Sequence, residues 1–343
     1  MNSTNIRKAM AIYRLPGEQI PTAIYGNFIE IECEKGMSVR QGFCMRSFHE
    51  KAGLFSIDCI ETLMGWKQCK GIFETFVSEI PLPTLKGITV AYEEFAAEIT
   101  AIRDAISQGI FKKAVAARKT FEPKDIDIED VWSGFEQLHK AYPESMVFLV
   151  YDFQSGYWLG ASPEELLSVR GKEASIMSLA GTHTHTQENI WTAKERLEQT
   201  VTSSHVREVL SQLKFSEIKE TPIHELAMGN ITHLLSHWKF KMEDGRLGEL
   251  LNALHPTPAV CGYPKQAAWD WLARNENIDR ALYTGFIGII AQEMAHFFVV
   301  LRCCRVGNNG YEYFAGCGIN AASDIDTEFQ ETEAKMNIIR HCL

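Results

Sequence analysis

The sequence predicts an α+β fold. Three observations carry that prediction: the apolar runs are strand-sized, the clearest helical periodicities fall between groups of strands, and no regular strand–helix–strand alternation links them. The longest apolar runs, "MVFLVY" (146–151) and "HFFVVL" (296–301), fall far short of a membrane span.

In chain order, short mixed segments such as "AIYGNFIEIECEKG" (23–36) read as strands. "SEIPLPTLKG" (78–87) is the nearest approach to a boundary, but no Pro/Ser-rich linker divides the chain. One domain over 1–343 is therefore expected, with 1–90 integrated into the same unit as 91–343. In 93–109, Phe95, Ile99, Ile102 and Ile106 fall within about 40° of one helical face, and Gly109 supplies a stop. Residues 110–121 switch to alternation, which puts Lys113, Val115 and Ala117 on one side of a strand. A lysine among small apolar neighbours is unusual there. Residues 145–171 read as strand, turn at Gln154 to Gly156, strand, a stop at Ser162-Pro163, then a short strand. Glu164 follows that stop, where an acid opening a helix would also stand.

Residues 188–213 form the longest helical segment, with Glu195 and Glu198 three apart on one face. Residues 295–319 read as a hairpin turning at Asn309-Gly310. Arg302 shares a strand face there with Phe298, Val300 and Cys304, so its guanidinium either snorkels to water or is held inside for an anion. Thr327, with Gln330 three residues on, has the pattern of a capping box opening the last helix. On that helix Glu328, Glu331 and Lys335 fall within roughly 60° of one another. A solvated stripe with a Glu331–Lys335 pair would account for it at a few tenths of a kcal/mol.

Composition narrows the function. The 343 residues are 45% hydrophobic and 23% charged, as in a soluble globular protein, and carry a formal charge of −10. No stretch supplies the clustered basic surface that a nucleic acid or an anionic membrane would need. A small anionic substrate stays open, because one or two buried cations can hold it. The first residues, "MNSTNIRKAMAIYRLPGE", lack an apolar core with a small-residue cleavage site, so a cytoplasmic protein is expected. Nine cysteines, an odd number without a C-x-x-C pair, read as reduced thiols packed as small hydrophobes. "GTHTHT" sets His183 and His185 two apart on a strand, but no second half of a transition-metal site accompanies them.

Two helices that each offer a carboxylate pair suit a hard divalent cation such as Mg2+, which takes oxygen ligands and leaves positions open. Arg302 and Lys335 could hold further carboxylate oxygens, and a strand lysine with a glutamate after a turn could serve as base and acid. From residue types and spacing alone, this describes a Mg2+-dependent lyase, isomerase or transferase acting on a polyanionic acid.

Residues from about 95 to 340 resemble the chorismate-utilising enzymes and, within them, the isochorismate synthases. The stretches that carry the resemblance are "KKAVAAR" (112–118), "GASPEELL" (160–167), "SLAGT" (178–182), "KERLEQTV" (194–201), "ITHLL" (231–235), "LHPTPAVCGYP" (254–264), "VLRCCRV" (300–306), "FAGCGI" (314–319) and "EFQETEAK" (328–335). The resemblance implies one large α+β domain, with stacked β-sheets surrounded by helices and a deep cleft. It implies Lys113 as general base and Glu164 as general acid. Glu198 and Glu331 would be direct Mg2+ ligands, with Glu195 and Glu328 nearby. Arg302, Lys335 and the backbone around Gly181, Gly316 and Gly318 would hold substrate carboxylates. His233 and Ala259 would line the pocket.

The implied reaction adds water at C2 of chorismate, shifts the double bonds and expels the C4 hydroxyl, so both a base and an acid are needed. A lysine is a base only when neutral, and a carboxyl is an acid at neutral pH only when burial keeps its proton. Ala180 stands where an aminodeoxychorismate synthase resembling this chain would carry lysine, and anthranilate synthases usually lack the lysine at position 113. No glutamine amidotransferase subunit is therefore expected. Ala259 stands where salicylate synthases tend to carry threonine, which favours stopping at isochorismate. Salicylate synthase, a siderophore-pathway isochorismate synthase and a silent chorismate-binding protein are the alternatives. Menaquinone biosynthesis is the expected pathway and a monomer the expected state. Gln199 departs from the histidine that relatives often show, and "AVAAR" is smaller than their usual strand.

Overall fold

The computed structural model describes residues 7–32, 41–49, 53–184, 191, 193–228 and 231–343. Four strands open the chain: β1 (Lys8–Arg14), β2 (Thr22–Glu32), β3 (Gly42–Arg46) and β4 (Gly53–Met64). Helices α1 (Trp66–Glu79) and α2 (Tyr92–Ser107) follow, then β5 (Lys113–Pro123), α3 (Ile128–Ala141), β6 (Met146–Asp152), β7 (Gly156–Ser162), β8 (Glu165–Arg170) and β9 (Glu173–Thr184). Next come α4 (Ala193–Gln212), β10 (Lys219–Met228), β11 (Ile231–Lys241), α5 (Leu247–Leu254), β12 (Gly262–Tyr263) and α6 (Lys265–Asn275). The chain closes with β13 (Phe286–Ala291), β14 (Met294–Val299), β15 (Cys303–Gly307), β16 (Gly310–Ile319) and α7 (Ile325–Arg340).

The described strands form one open ladder in the order β10-β11-β9-β8-β14-β13-β3-β4-β2-β1-β6-β7-β15-β16-β5-β12. N-terminal strands sit in its middle: β1 pairs with β6, and β3 with β13. The α+β expectation therefore holds, with strands and helices in no regular alternation.

Three apolar clusters fix the helices to this sheet. Phe95, Ile99 and Ile102 of α2 and Trp269 and Leu272 of α6 pack with Phe148, Trp158 and Phe314. Phe73 of α1, Trp132 and Phe135 of α3 and Met336 of α7 pack around Tyr157 and Tyr313. Val206 and Leu210 of α4 and Leu250 and Leu254 of α5 pack on Trp238 and Phe297. Burying such side chains stabilises each helix by roughly 1.5–3 kcal/mol per large residue. Arg118, buried on β5, ties α7 down further: its Nε donates to Thr332 Oγ1 at 2.6 Å and its guanidinium lies 4.0 Å from the Phe329 ring centre.

Several local expectations change. Arg302 is on no strand face, because β14 ends at Val299, β15 begins at Cys303 and Arg302 adopts φ 48° between them. Its carbonyl accepts from Ala161 N–H at 3.0 Å, and a Cβ at Gly160 would come within 2.7 Å of that oxygen. A close approach that only glycine permits thus anchors the kink. The last hairpin pairs Gly307 with Gly310, so its loop residues are Asn308-Asn309, one position earlier than expected. Helix α7 is capped by Asp324, whose Oδ1 accepts from the N–H and the hydroxyl of Thr327, so it starts before the expected box. Glu164 opens no helix and leads into β8.

No disulfide joins any of the eight described cysteines, and among them Cys59 is exposed. Among the described residues no helix is long and apolar enough to cross a membrane.

Candidate active site

Lys113 is the first residue of β5 and is buried to 6% exposure. Its backbone is gripped from β12, where Tyr263 lies opposite it. The side chain runs along β16 toward α4, and Nζ stops 3.4 Å from Glu198 Oε1. Gly318 makes that meeting possible. A Cβ there would lie 2.5 Å from Glu198 Oε1 and 2.6 Å from Lys113 Cε.

Glu164 sits at the junction of β7 and β8, with its carbonyl accepting from Val299 N–H at 3.0 Å. Its carboxyl is buried, and burial pushes its pKa up to about 7, opposed by the positive charges of Lys113, Arg302 and Lys335. A carboxyl poised there can hold a proton at neutral pH and release it. Burial pulls the half-buried Arg302 guanidinium below its usual range, against the raising influence of Tyr283, Glu331, Tyr142 and Glu164 around it.

On α7, Lys335 Nζ contacts Glu331 Oε1 at 2.6 Å and donates to Gly316 O at 2.8 Å. Glu328 is turned inward to 1% exposure. The stripe is therefore only partly solvated: Glu331 stays part-exposed, Glu328 is buried and the lysine bridges the helix to β16. Strand β16 is the meeting point: Gly316 and Gly318 face Ala117 and Val115 of β5, with Lys335 on one glycine and the Lys113–Glu198 pair over the other.

Ala259 lies half-buried in the turn before β12. That turn is closed by Val260 and Cys261 N–H groups donating to Thr257 O at 3.1 and 3.0 Å. Arg280, fully buried, locks it to β5 by donating to Val260 O at 2.8 Å and Val115 O at 2.6 Å, and Glu276 neutralises the guanidinium. Gly181 is the extra residue of a bulge in β9, since Thr182 pairs with His233 and Ala180 with Leu234. The side chains of Glu195 on α4 and His233 on β11, like that of His183, lie outside the described residues, as does His185 altogether.

Tyr283 is a site residue the sequence did not flag. Its hydroxyl would lie 3.1 Å from a Cβ at Gly316, and it is a neighbour of Arg302. "RALYTG" carries no periodicity or charge pattern that could have singled it out.

Among the described residues no three His, Cys, Asp or Glu side chains converge into a metal cluster. The donors nonetheless suit a hard cation. Glu198 and Glu331, on two helices, are carboxylates that each already draw an ammonium, and the bare α-carbon of Gly318 leaves the space beside Glu198 Oε1 that any side chain would fill. A buried base candidate, a buried carboxyl whose pKa is pushed up to about 7 and two cations thus share one site.

Residues 69–343 match the family of chorismate-binding enzymes. An isochorismate synthase of salicylate biosynthesis from Pseudomonas aeruginosa is 33% identical over 266 residues, covering 73% of this chain and 54% of that one. The chain spans about half the length of the first curated relatives it matches. Among solved structures, Bacillus anthracis DhbC, provisionally assigned as a 2,3-dihydroxybenzoate-specific isochorismate synthase, has a TM-score of 0.78 at 20% identity, covering 97% of this chain and 96% of that one. MenF, the menaquinone-specific isochorismate synthase of Escherichia coli, has a TM-score of 0.76 at 20% identity, covering 99% and 90%. Likenesses at that identity carry the fold rather than the reaction. The family match over residues 69–343, with the fold shared along nearly the whole length, makes this chain a member of the chorismate-binding enzymes.

Proposed function

We propose that the protein is a Mg2+-dependent isochorismate synthase, isomerising chorismate by adding water at C2 with loss of the C4 hydroxyl. The observation that supports it most is a buried lysine near a buried carboxyl whose pKa is pushed up to about 7, with Arg302 and Lys335 also facing that carboxyl. Lys113 takes a proton from the attacking water, and Glu164 gives one to the departing hydroxyl. Arg302 and Lys335, with Tyr283 beside them, hold the substrate's carboxylates. The backbone at Gly181, Gly316 and Gly318 lets the ring approach, and Ala259 and His233 line the pocket. Glu198 and Glu331, with Glu195 and Glu328 close by, would hold Mg2+. When bound, the ion would neutralise carboxylate charge and fix the ring's orientation.

Residues 1–90 work in the same unit as the rest, a reading supported by the β1–β6 and β3–β13 pairings. The protein acts as a cytoplasmic monomer without a glutaminase partner, and its product feeds menaquinone synthesis. Incubation with chorismate, with and without Mg2+, followed by product separation with mass detection, tests the activity. A Mg2+-dependent peak of chorismate's mass but different retention is the expected result. Salicylate with pyruvate would move the protein to lyase chemistry, and no turnover would overturn the proposal.

A further inference from the structure

We propose that Glu165 and His296 form a positioning pair that fixes the direction in which the neighbouring Glu164 carboxyl points; this rests on the reading of Glu164 as the acid. His296 Nε2 lies 2.5 Å from Glu165 Oε2, with side-chain exposures of 10% and 17%. Ser175 on β9 donates to the other carboxylate oxygen at 3.4 Å.

The pair sits at an irregularity. Along β8 and β14, Leu167 pairs with Phe297 but Glu165 pairs with Phe298, which leaves Leu166 as an extra residue. The consecutive side chains of Leu166 and Leu167 both enter the cluster around Phe297. Glu165 is thereby brought to the side of His296 and Phe298, whose rings lie 4.3 Å apart. A one-residue slip of a strand turns each of its side chains to the opposite face, and a bulge is where such a slip costs least.

Glu164 is the residue a slip would misdirect. Its carbonyl is held by Val299 N–H, and the next side chain is held by His296, so β14 grips the chain at Glu164 and again one residue on. Strand pairing alone needs no such pair, since removing two charged or polar groups from water costs about as much as their attraction returns. What the pair adds is register. The charged groups that face Glu164 are Lys113, Arg302 and Lys335, and His237 faces Glu165 from β11, so the two carboxyls occupy separate environments.

The test compares H296N with H296Q in the full chain. Glutamine places an amide N–H where Nε2 stood and keeps the bond to Glu165, whereas the shorter asparagine cannot reach. Carboxyl 13C NMR, with Glu164 assigned by its loss in E164Q, reads the titration midpoint of Glu164 without requiring turnover. The expected result is a midpoint lowered in H296N toward an ordinary glutamate and retained in H296Q. In steady-state assays kcat should fall about 10- to 100-fold in H296N with KM within about twofold, and recover in H296Q. An unchanged midpoint and kcat in H296N would overturn the pair's role. If H296N does not fold, E165L is read the same way. Wild-type protein that makes no isochorismate would overturn the function reading alone, because the NMR comparison decides the positioning by itself.

Discussion

Lys113 Nζ and Glu198 Oε1 meet at 3.4 Å above the bare α-carbon of Gly318. Three elements far apart in sequence, β5, α4 and β16, converge on that contact. It places the amine proposed as base directly beside a carboxylate proposed to hold the metal. Anything that draws charge at Glu198 is felt at Lys113.

Replacing Lys113 by alanine removes the amine and leaves Arg302 and Lys335 in place. Turnover of chorismate should fall about 10²- to 10⁴-fold, the usual range for a general base. Calorimetry should still detect Mg2+-dependent chorismate binding within a few fold of wild type. Undiminished kcat in K113A would end the base assignment.

Glu164 should write the upper limb of the pH profile. With its pKa near 7, the proton-bearing form that acts as acid is lost as pH rises through that value. A plot of kcat/KM should therefore decline above about pH 7, since it reports groups of the free enzyme. In E164Q that limb should vanish and the plateau should drop by about 10²-fold or more. A limb that persists in E164Q would assign it to another group.

Gly318→Ala tests the cradle. A methyl 2.5 Å from Glu198 Oε1 and 3.0 Å from Lys113 Nζ must push both aside. Both obstacles are the far ends of flexible side chains, so the melting temperature should move by only a few degrees. Activity should fall about 10²-fold, as expected when reacting groups are displaced by about an ångström. A G318A protein with wild-type kcat would show that this contact has no part in the reaction.

Much of this site was legible because charge stands out on periodic elements. Lys113 in a run of small apolar residues, Glu198 on a helical face, and Glu331 and Lys335 four apart each break a local pattern. Glu328 shows where spacing stops being informative: it shares the stripe, yet the structure buries it while Lys335 turns to Glu331 and Gly316. Alternation runs smoothly through 298–304 and so points to a strand at Arg302, and nothing local announces the φ of 48° that breaks it. Tyr283 and Arg280 were invisible, since their roles depend on partners on other elements, Arg302 and Gly316 for one and Val115 for the other. The N-terminal strands were legible as strands, but not that they would occupy the middle of the sheet.

Glu98 gives a prediction about stability rather than turnover. It lies buried on α2 and faces Glu276 and Arg280. Burial, reinforced by the Glu276 carboxylate, pushes its pKa up to about 8, against the opposing pull of Arg280. Because this acid's pKa is higher folded than unfolded, the folded protein binds the extra proton between the ordinary glutamate range and about pH 8. Its contribution is thus favourable at low pH and is lost as pH rises through that window, by up to a few kcal/mol. Glutamine in its place carries no charge at any pH. Urea unfolding of E98Q should show a flatter dependence between about pH 5 and 8 than wild type. The variant should gain stability relative to wild type at pH 9, and parallel pH curves for the two proteins would show that Glu98 does not retain its proton in the fold.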